Sequence, residues 1–236
     1  MRKNLKKELA AGVGLLIAFA AWTMLIRYVD VQAAGPNGTS VGFAALNVWF
    51  HRLTGAHWTL YTITDWLGFV PIVICLCFAA VGLVQAVRRR NPFRVDPDLL
   101  LLGGYYVLVI AGYVLFEMIP INYRPVLIEG RLEASYPSST TLLVLSVMPT
   151  LKFQIDRRSG NTAVRTVTTV FVILFSAFMV IGRLISGVHW ITDIIGAVLL
   201  SGGLFMLYRT AVLRADQKRT EKGKPYEDRN QADGDR

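Results

Sequence analysis

Long apolar runs alternate with short polar segments along this chain. The runs cover residues 9–26, 66–87, 99–116, 137–153, 166–181 and 190–208. A helix that crosses a bilayer needs roughly 20 mainly apolar residues. The runs at 137–153 and 166–181 are short and polar at their edges, so the pattern of all six, rather than either of these alone, carries the reading. It predicts an all-α polytopic membrane protein, a six-transmembrane-helix bundle forming one domain over residues 1–214. Residues 215–236 mix Lys, Arg, Asp and Glu with almost no apolar side chains, and are expected to form a solvated cytoplasmic tail, with disorder open. Between the first two runs, Gly35-Pro36-Asn37-Gly38 reads as a turn. Val41, Phe43, Leu46, Trp49 and Phe50 then recur at helical spacing, which suits a short amphipathic element at the membrane interface.

Composition strengthens the membrane reading, because 53% of the 236 residues are hydrophobic and only 17% are charged, too apolar for an ordinary soluble domain. The net charge of +9 would suit nucleic acid, but the basic residues lie between apolar runs and no basic face with interleaved aromatics appears, so no nucleic-acid partner is expected. Their placement instead sets topology. With the N-terminus inside, the inner segments hold Arg2, Lys3, Lys6 and Lys7, then Arg88, Arg89, Arg90 and Arg94, then Lys152, Arg157, Arg158 and Arg165, and every basic residue from Arg209 onward. The outer segments hold only Arg27, Arg52, Arg124, Arg131 and Arg183. That asymmetry puts both termini in the cytoplasm.

The basic N-terminus before residues 9–26 invites a signal-peptide reading, with Val31-Gln32-Ala33 as a faint cleavage site, yet the apolar stretch is longer than a usual signal core and an uncleaved first span is expected. Cys75 and Cys77 sit inside an apolar run and point in different directions on a helix, so they read as packing residues. Gly103-Gly104 and Gly202-Gly203 lie within spans, where small residues let helices approach closely.

Three polar clusters fall at outer ends of spans under this topology. They are Tyr123-Arg124-Pro125, then Pro137-Ser138-Ser139-Thr140, then Arg183 with His189 and Asp193. Pro137 before hydroxyl residues suits a helix start, whose free N–H groups and positive dipole end bind anions. Two guanidiniums, Arg124 and Arg183, remain charged at any relevant pH and grip phosphate oxygens with charge-assisted hydrogen bonds; the alternative is that they snorkel to lipid headgroups. His189 and Asp193 are spaced i to i+4, which on a helix puts both on one face, where the carboxylate orients the imidazole and stabilises its cation. An ionisable residue inside a span is expensive and usually pairs or functions.

These clusters, in order and spacing, resemble the three signature motifs of the type 2 phosphatidic acid phosphatase superfamily, over roughly residues 117–193, with the third motif the most specific. The resemblance implies a six-helix membrane bundle and metal-independent phosphoryl transfer through a phosphohistidine, with no cofactor. His189 would be the nucleophile and Asp193 its orienting partner. Arg124, Arg183, Ser138, Ser139 and Thr140 would bind phosphate, Ser139 through its backbone. The chain departs from the pattern at three places: Glu117 stands where the first motif has Lys, Ser139 and Thr140 replace the Gly and the leaving-group His of the second, and Gly182 replaces a Ser in the third.

General acid catalysis contributes about 10² to 10⁴ in rate. A leaving group that is already a stable phosphate depends on it least, so lipid pyrophosphates are expected to be favoured over monoesters. Glu117, His51 and His57 are auxiliary acid candidates, with pairing of Glu117 to Arg124 or Arg131 and an interfacial role for the histidines as the alternatives; the polar loop of Glu129, Arg131 and Glu133 reads by default as solvated. No carboxylate cluster or His/Cys ligand set suggests a metal. The expected activity is hydrolysis of a lipid phosphate or pyrophosphate at the outer leaflet of a cell membrane, with a bacterial plasma membrane expected from size and compactness. A catalytically silent headgroup-binding relative, or a phosphotransferase with a non-water acceptor, are the alternatives.

Overall fold

Each long apolar run becomes helix, the conformation that satisfies backbone hydrogen bonds internally where lipid offers no partner. In the computed structural model, which describes residues 2–222, α1 spans Arg2–Tyr28, α2 Ala44–Thr54, α3 Trp58–Leu67, α4 Phe69–Arg88, α5 Pro97–Met118, α6 Ser139–Arg158, α7 Thr162–Ile185 and α8 Ile191–Lys222. No strand occurs among the described residues; three isolated antiparallel bridges fasten loops. Helix α2 fills the position of the expected interfacial element. The second apolar stretch begins at Trp58, earlier than residue 66, because α3 and α4 follow one another through Gly68 with helical backbone angles at that junction. Helix α8 runs through Lys222, past the boundary read at residue 214, and Asp216 on that extension pairs with Arg157 at 2.7 Å. The rest of the expected tail, residues 223–236, lies outside the described residues.

Among the described residues, five helical stretches are long and apolar enough to cross a membrane: Asn4–Tyr28, Trp58–Arg88, Pro97–Met118, Thr162–Ile185 and Ile191–Glu221. Their outward faces expose Ile17, Leu76, Leu83, Val107, Ile173 and Leu174, a distribution that water penalises and lipid accepts. Helix α6 is as long as a span but falls short in apolarity. The cause is its place, packed against α4, α5, α7 and α8, where neighbouring helices shield it from lipid and supply polar partners. The Tyr105 hydroxyl of α5 donates to the Ser146 carbonyl at 2.9 Å, Tyr106 meets the Thr150 hydroxyl at 2.7 Å, and Gln154 donates to the Tyr208 hydroxyl of α8 at 2.6 Å. Interhelical bonds of this kind let hydroxyls and amides sit at membrane depth.

The main core joins α1, α5, α6 and α8 through Phe19, Leu102, Tyr105, Tyr136, Leu142 and Ala197. Tyr136 stacks on Phe19 and meets Phe116 edge-on, and its hydroxyl lies 2.7 Å from that of Thr23 on α1. This aromatic plug fixes the residues leading into α6 against the first helix, and so fixes one wall of the site.

Candidate active site

The segment from α5 to α6, residues 119–138, doubles back on itself. Tyr123 bridges Ala134 and Ile128 bridges Arg131, with the reversal at Glu129 and Gly130, where φ is +48° and +75°; two successive positive φ values make the tight turn that suits paired strands. The pairing sets the Arg124 N–H on the Glu133 carbonyl at 3.0 Å and the Arg124 Nε 3.1 Å from the Glu133 carboxylate. That ion pair is out of line for a hydrogen bond, and both Nε and Nη1 of this buried guanidinium have no hydrogen-bond partner.

Helix α6 opens where expected. Ser138 is its buried N-cap, and the Ser138 N–H donates to the Asp193 carbonyl at 3.2 Å while its hydroxyl donates to the Thr141 hydroxyl at 3.0 Å. Ser139 and Thr140 form the first turn, whose N–H groups have no acceptor within the helix. Arg183, near the end of α7 and 1% exposed, reaches the same place. Its Nη2 donates to the Thr140 hydroxyl at 2.6 Å and lies 3.2 Å from the Asp65 carboxylate, its Nη1 is 3.4 Å from the Thr64 hydroxyl, and the guanidinium sits 5.0 Å over the Tyr61 ring. The Arg183 Nε is buried without a partner.

Between α7 and α8 the chain turns sharply through Ser186–Trp190. Gly187 has φ +69°, and a Cβ there would stand 1.8 Å from the Gly55 carbonyl oxygen, so both angle and space require glycine. The His57 N–H donates to the Ser186 carbonyl at 2.9 Å, and the loop before α3 thereby grips this turn. His189 therefore lies outside α8, a correction to the expectation that His189 and Asp193 share a helix face: the glycine ends the preceding helix and α8 starts only at Ile191.

The His189 Nδ1 lies 3.2 Å from the Ser135 carbonyl. A carbonyl only accepts, so Nδ1 carries the proton and Nε2 keeps its lone pair. Nε2 is buried with no partner. The Asp193 carboxylate is 3.8 Å from Nδ1, near enough to act on a charged ring but beyond hydrogen-bond reach. Asp193 is the third residue of α8, and its side chain accepts the Trp190 N–H at 2.9 Å, the return half of a capping box; the Asn122 amide approaches its other oxygen at 3.4 Å. Burial, then the charges of Arg124 and Arg183, push the His189 imidazole well below its ordinary pKa of 6.5, which keeps it neutral.

The structure thus gathers Arg124, Ser138, Ser139, Thr140, Arg183, His189 and Asp193 at one end of the bundle. Glu117 is exposed on α5 and lines a small hollow with Ser135 and Ser139, and the carboxylate that pairs with Arg124 is Glu133 instead. His51 packs edge-on to Trp190 with ring centres 5.7 Å apart, and burial lowers its pKa; His57 is exposed and bonds the Thr54 carbonyl. Sequence reasoning missed Asp65, Thr64 and Tyr61, which surround Arg183, and the Ser135 carbonyl. Asp65 had a signal, since a carboxylate at the edge of an apolar run needs a partner; a backbone carbonyl has none. A cleft of about 310 Å³ adjoins Arg183, polar at Asp65, Ser139 and Thr140 and walled by Phe69, Ile72 and Val109.

Buried guanidiniums, a helix N-terminus and a neutral imidazole meet at one end of the apolar bundle of a membrane protein. The model of the PAP2 superfamily matches residues 99–217, just over half of the chain and all seven clustered residues, and the chain belongs to that superfamily, a lipid phosphatase family. The crystal structure of the first transmembrane PAP2-type phosphatidylglycerolphosphate phosphatase from Bacillus subtilis superposes with a TM-score of 0.58 over 91% of this chain and 98% of that one, at 17% identity, which shows a shared fold. No curated protein matches the sequence.

Proposed function

We propose that this protein is a metal-independent phosphatase that removes phosphate from a lipid phosphate or lipid pyrophosphate at the outer leaflet of a cell membrane, with six crossings and both termini in the cytoplasm. The observation that carries the reading is the set of buried nitrogens without a hydrogen-bond partner: Nε and Nη1 of Arg124, the former ion-paired to Glu133, Nε of Arg183 and Nε2 of His189. A buried donor without an acceptor costs about 1–3 kcal/mol, and a phosphate would satisfy the guanidinium donors at once.

In this reading the Nε2 lone pair of His189 attacks phosphorus, forming an N–P bond as the bond to the leaving oxygen breaks. The Ser135 carbonyl holds the Nδ1 proton, so the ring becomes a cation, and the Asp193 carboxylate 3.8 Å away stabilises it. Arg124 and Arg183 take up charge on the phosphoryl oxygens. The Thr140 hydroxyl accepts from Arg183 and keeps its own proton free to donate to an oxygen of the substrate. Water then attacks the phosphohistidine, the N–P bond breaks, and inorganic phosphate leaves. With Thr140 in place of a leaving-group acid, pyrophosphates are the favoured substrates. The apolar cleft beside Thr140 suits a lipid tail.

The test is phosphate release by detergent-purified protein from lipid pyrophosphate and monophosphate, with chelator present. Replacing a nucleophile costs on the order of 10⁴-fold or more, so His189→Ala should abolish release. Equal release by wild type and variant rejects the reading. Substitution of the family's Lys and His by Glu117 and Thr140 favours one second reading, a relative that binds phosphate headgroups without turnover, which the same assay separates through binding in the absence of release.

A further inference from the structure

Asn47 of α2 is 1% exposed and spends its amide on the start of α8. Its Nδ2 donates to the Thr192 hydroxyl at 3.0 Å and to the Gly42 carbonyl at 2.7 Å; its Oδ1 faces the Thr192 N–H at 3.4 Å and the Thr192 hydroxyl at 3.3 Å. Thr192 is the second residue of α8, where a backbone N–H has no acceptor within the helix. The opening of α8 is therefore capped twice, by Asp193 on Trp190 from within and by Asn47 on Thr192 from another helix.

Gly42 supports this clasp. A Cβ on Gly42 would fall 1.7 Å from the Ile26 carbonyl oxygen, so the chain before α2 is pressed against the end of α1 and cannot drift. Its N–H faces Asn122, the residue whose amide approaches Asp193. The Trp22 indole of α1 adds a hydrogen bond to the Thr192 carbonyl at 3.1 Å. On the opposite side of α2, Leu46, Trp49 and Leu53 are exposed, so α2 turns its apolar face outward and its one buried amide toward the first turn of α8, which follows His189 in the chain.

We propose that Asn47 is a positioning residue: it fixes the first turn of α8 through Thr192 and so holds the His189 imidazole at its working place. This rests on the reading of His189 as nucleophile. A misplacement of about 1 Å costs about 10²-fold in rate, and Asn47 touches neither substrate nor His189, so its loss should fall on the chemical step and leave binding alone.

The experiment combines kinetics with histidine-selective NMR on the full chain in detergent; the protein has three histidines, and His189→Ala assigns the signal. In Asn47→Ala, kcat should fall about 10²-fold with KM within about threefold of wild type, and the His189 signal should shift or broaden. Thr192→Val should move both readouts the same way by less, and Thr192→Ser should restore them. If Asn47→Ala does not fold, the Thr192 pair decides. An unchanged His189 signal with unchanged kcat in Thr192→Val and Asn47→Ala overturns the proposal, as does a loss confined to thermal stability. Absence of turnover in wild type rejects the phosphatase reading instead, and the NMR comparison still decides whether Asn47 holds His189.

Discussion

The two ends of the bundle handle charge in opposite ways. At the end away from His189, Arg158 donates to Asp98 at 2.7 Å, Arg157 lies 3.6 Å from Asp98 and 2.7 Å from Asp216, Arg89 meets Asp96 at 2.9 Å and Arg209 meets Glu8 at 2.7 Å. The Asp98 and Asp216 pairs join α5, α6 and α8, Arg89–Asp96 ties the end of α4 to the start of α5, and Arg209–Glu8 joins α8 to α1; each of these four arginines has a carboxylate. At the site end, Arg124 and Arg183 have carboxylates too, Glu133 and Asp65, yet buried N–H groups on both remain without acceptors. On the proposed reading, the difference separates charges that fasten helices from charges held ready for an anion. Donors left unmade destabilise the fold, and a site that binds its ligand through them recovers that cost.

On this contrast, the largest loss is expected from Arg183→Lys. The ammonium keeps the charge but loses the planar fork that reaches Thr140 and Asp65 together. Hydrogen bonds to charged groups are worth about 1.5–3 kcal/mol each, so kcat/KM should drop about 10²-fold while the protein still folds. A decrease below threefold would show that the fork is not used.

Next in size is ligand-linked stability. An anion that binds only the folded state raises stability by about 2.7 kcal/mol at a hundred times its Kd. Orthovanadate or inorganic phosphate should raise the Tm of wild type and leave that of Arg183→Lys nearly unchanged. Equal shifts in both would place the anion elsewhere.

The third test uses acid. His189 is held neutral in the folded protein, with its pKa well below the ordinary 6.5, by burial and by Arg124 and Arg183. Below pH 6.5 the unfolded chain therefore binds a proton that the folded chain refuses, and stability must fall as pH drops through that range. The loss attributable to this group between pH 6.5 and 5.5 is at most about 1 kcal/mol, read as a Tm difference that His189→Gln removes. Because the free enzyme already holds a neutral imidazole at pH 7, kcat/KM should not decline between pH 8 and 6.5.

How much of this was legible in the sequence follows from the range of each interaction. Apolar runs marked the lipid-facing helices, since hydropathy and the bilayer demand the same thing of every residue in a span. The runs that became α6 and α7 were the least clear; α7 proves long and apolar enough to span, whereas the solvent of α6 is protein, so Ser146, Thr150 and Gln154 could be retained. That the seven residues would lie together was legible from their types and spacing at the ends of apolar runs; their role in phosphate chemistry is the proposed reading. What stayed hidden was everything set by tertiary contact: the Glu133 partner of Arg124, chosen by a bridged loop; the Asp65 partner of Arg183, more than a hundred positions away in sequence; and the placement of His189 before α8, which hangs on the backbone angle of Gly187.

The smallest predicted effect completes the contrast. Asp98 is the hub of the opposite end, its side chain 11% exposed between guanidiniums that are 26% and 34% exposed. Asp98→Asn keeps the shape and removes the charge. Arg157 retains Asp216, and Arg158 retains its bond to Gln154, so neither cation is stranded; with both guanidiniums at least a quarter exposed, the loss should be about 1 kcal/mol. Tm should fall slightly, more at low salt than at high salt, with kcat and KM unchanged within about twofold. A comparable loss of activity would mean that the two ends are coupled through α6, and that the charges at the far end do more than fasten helices.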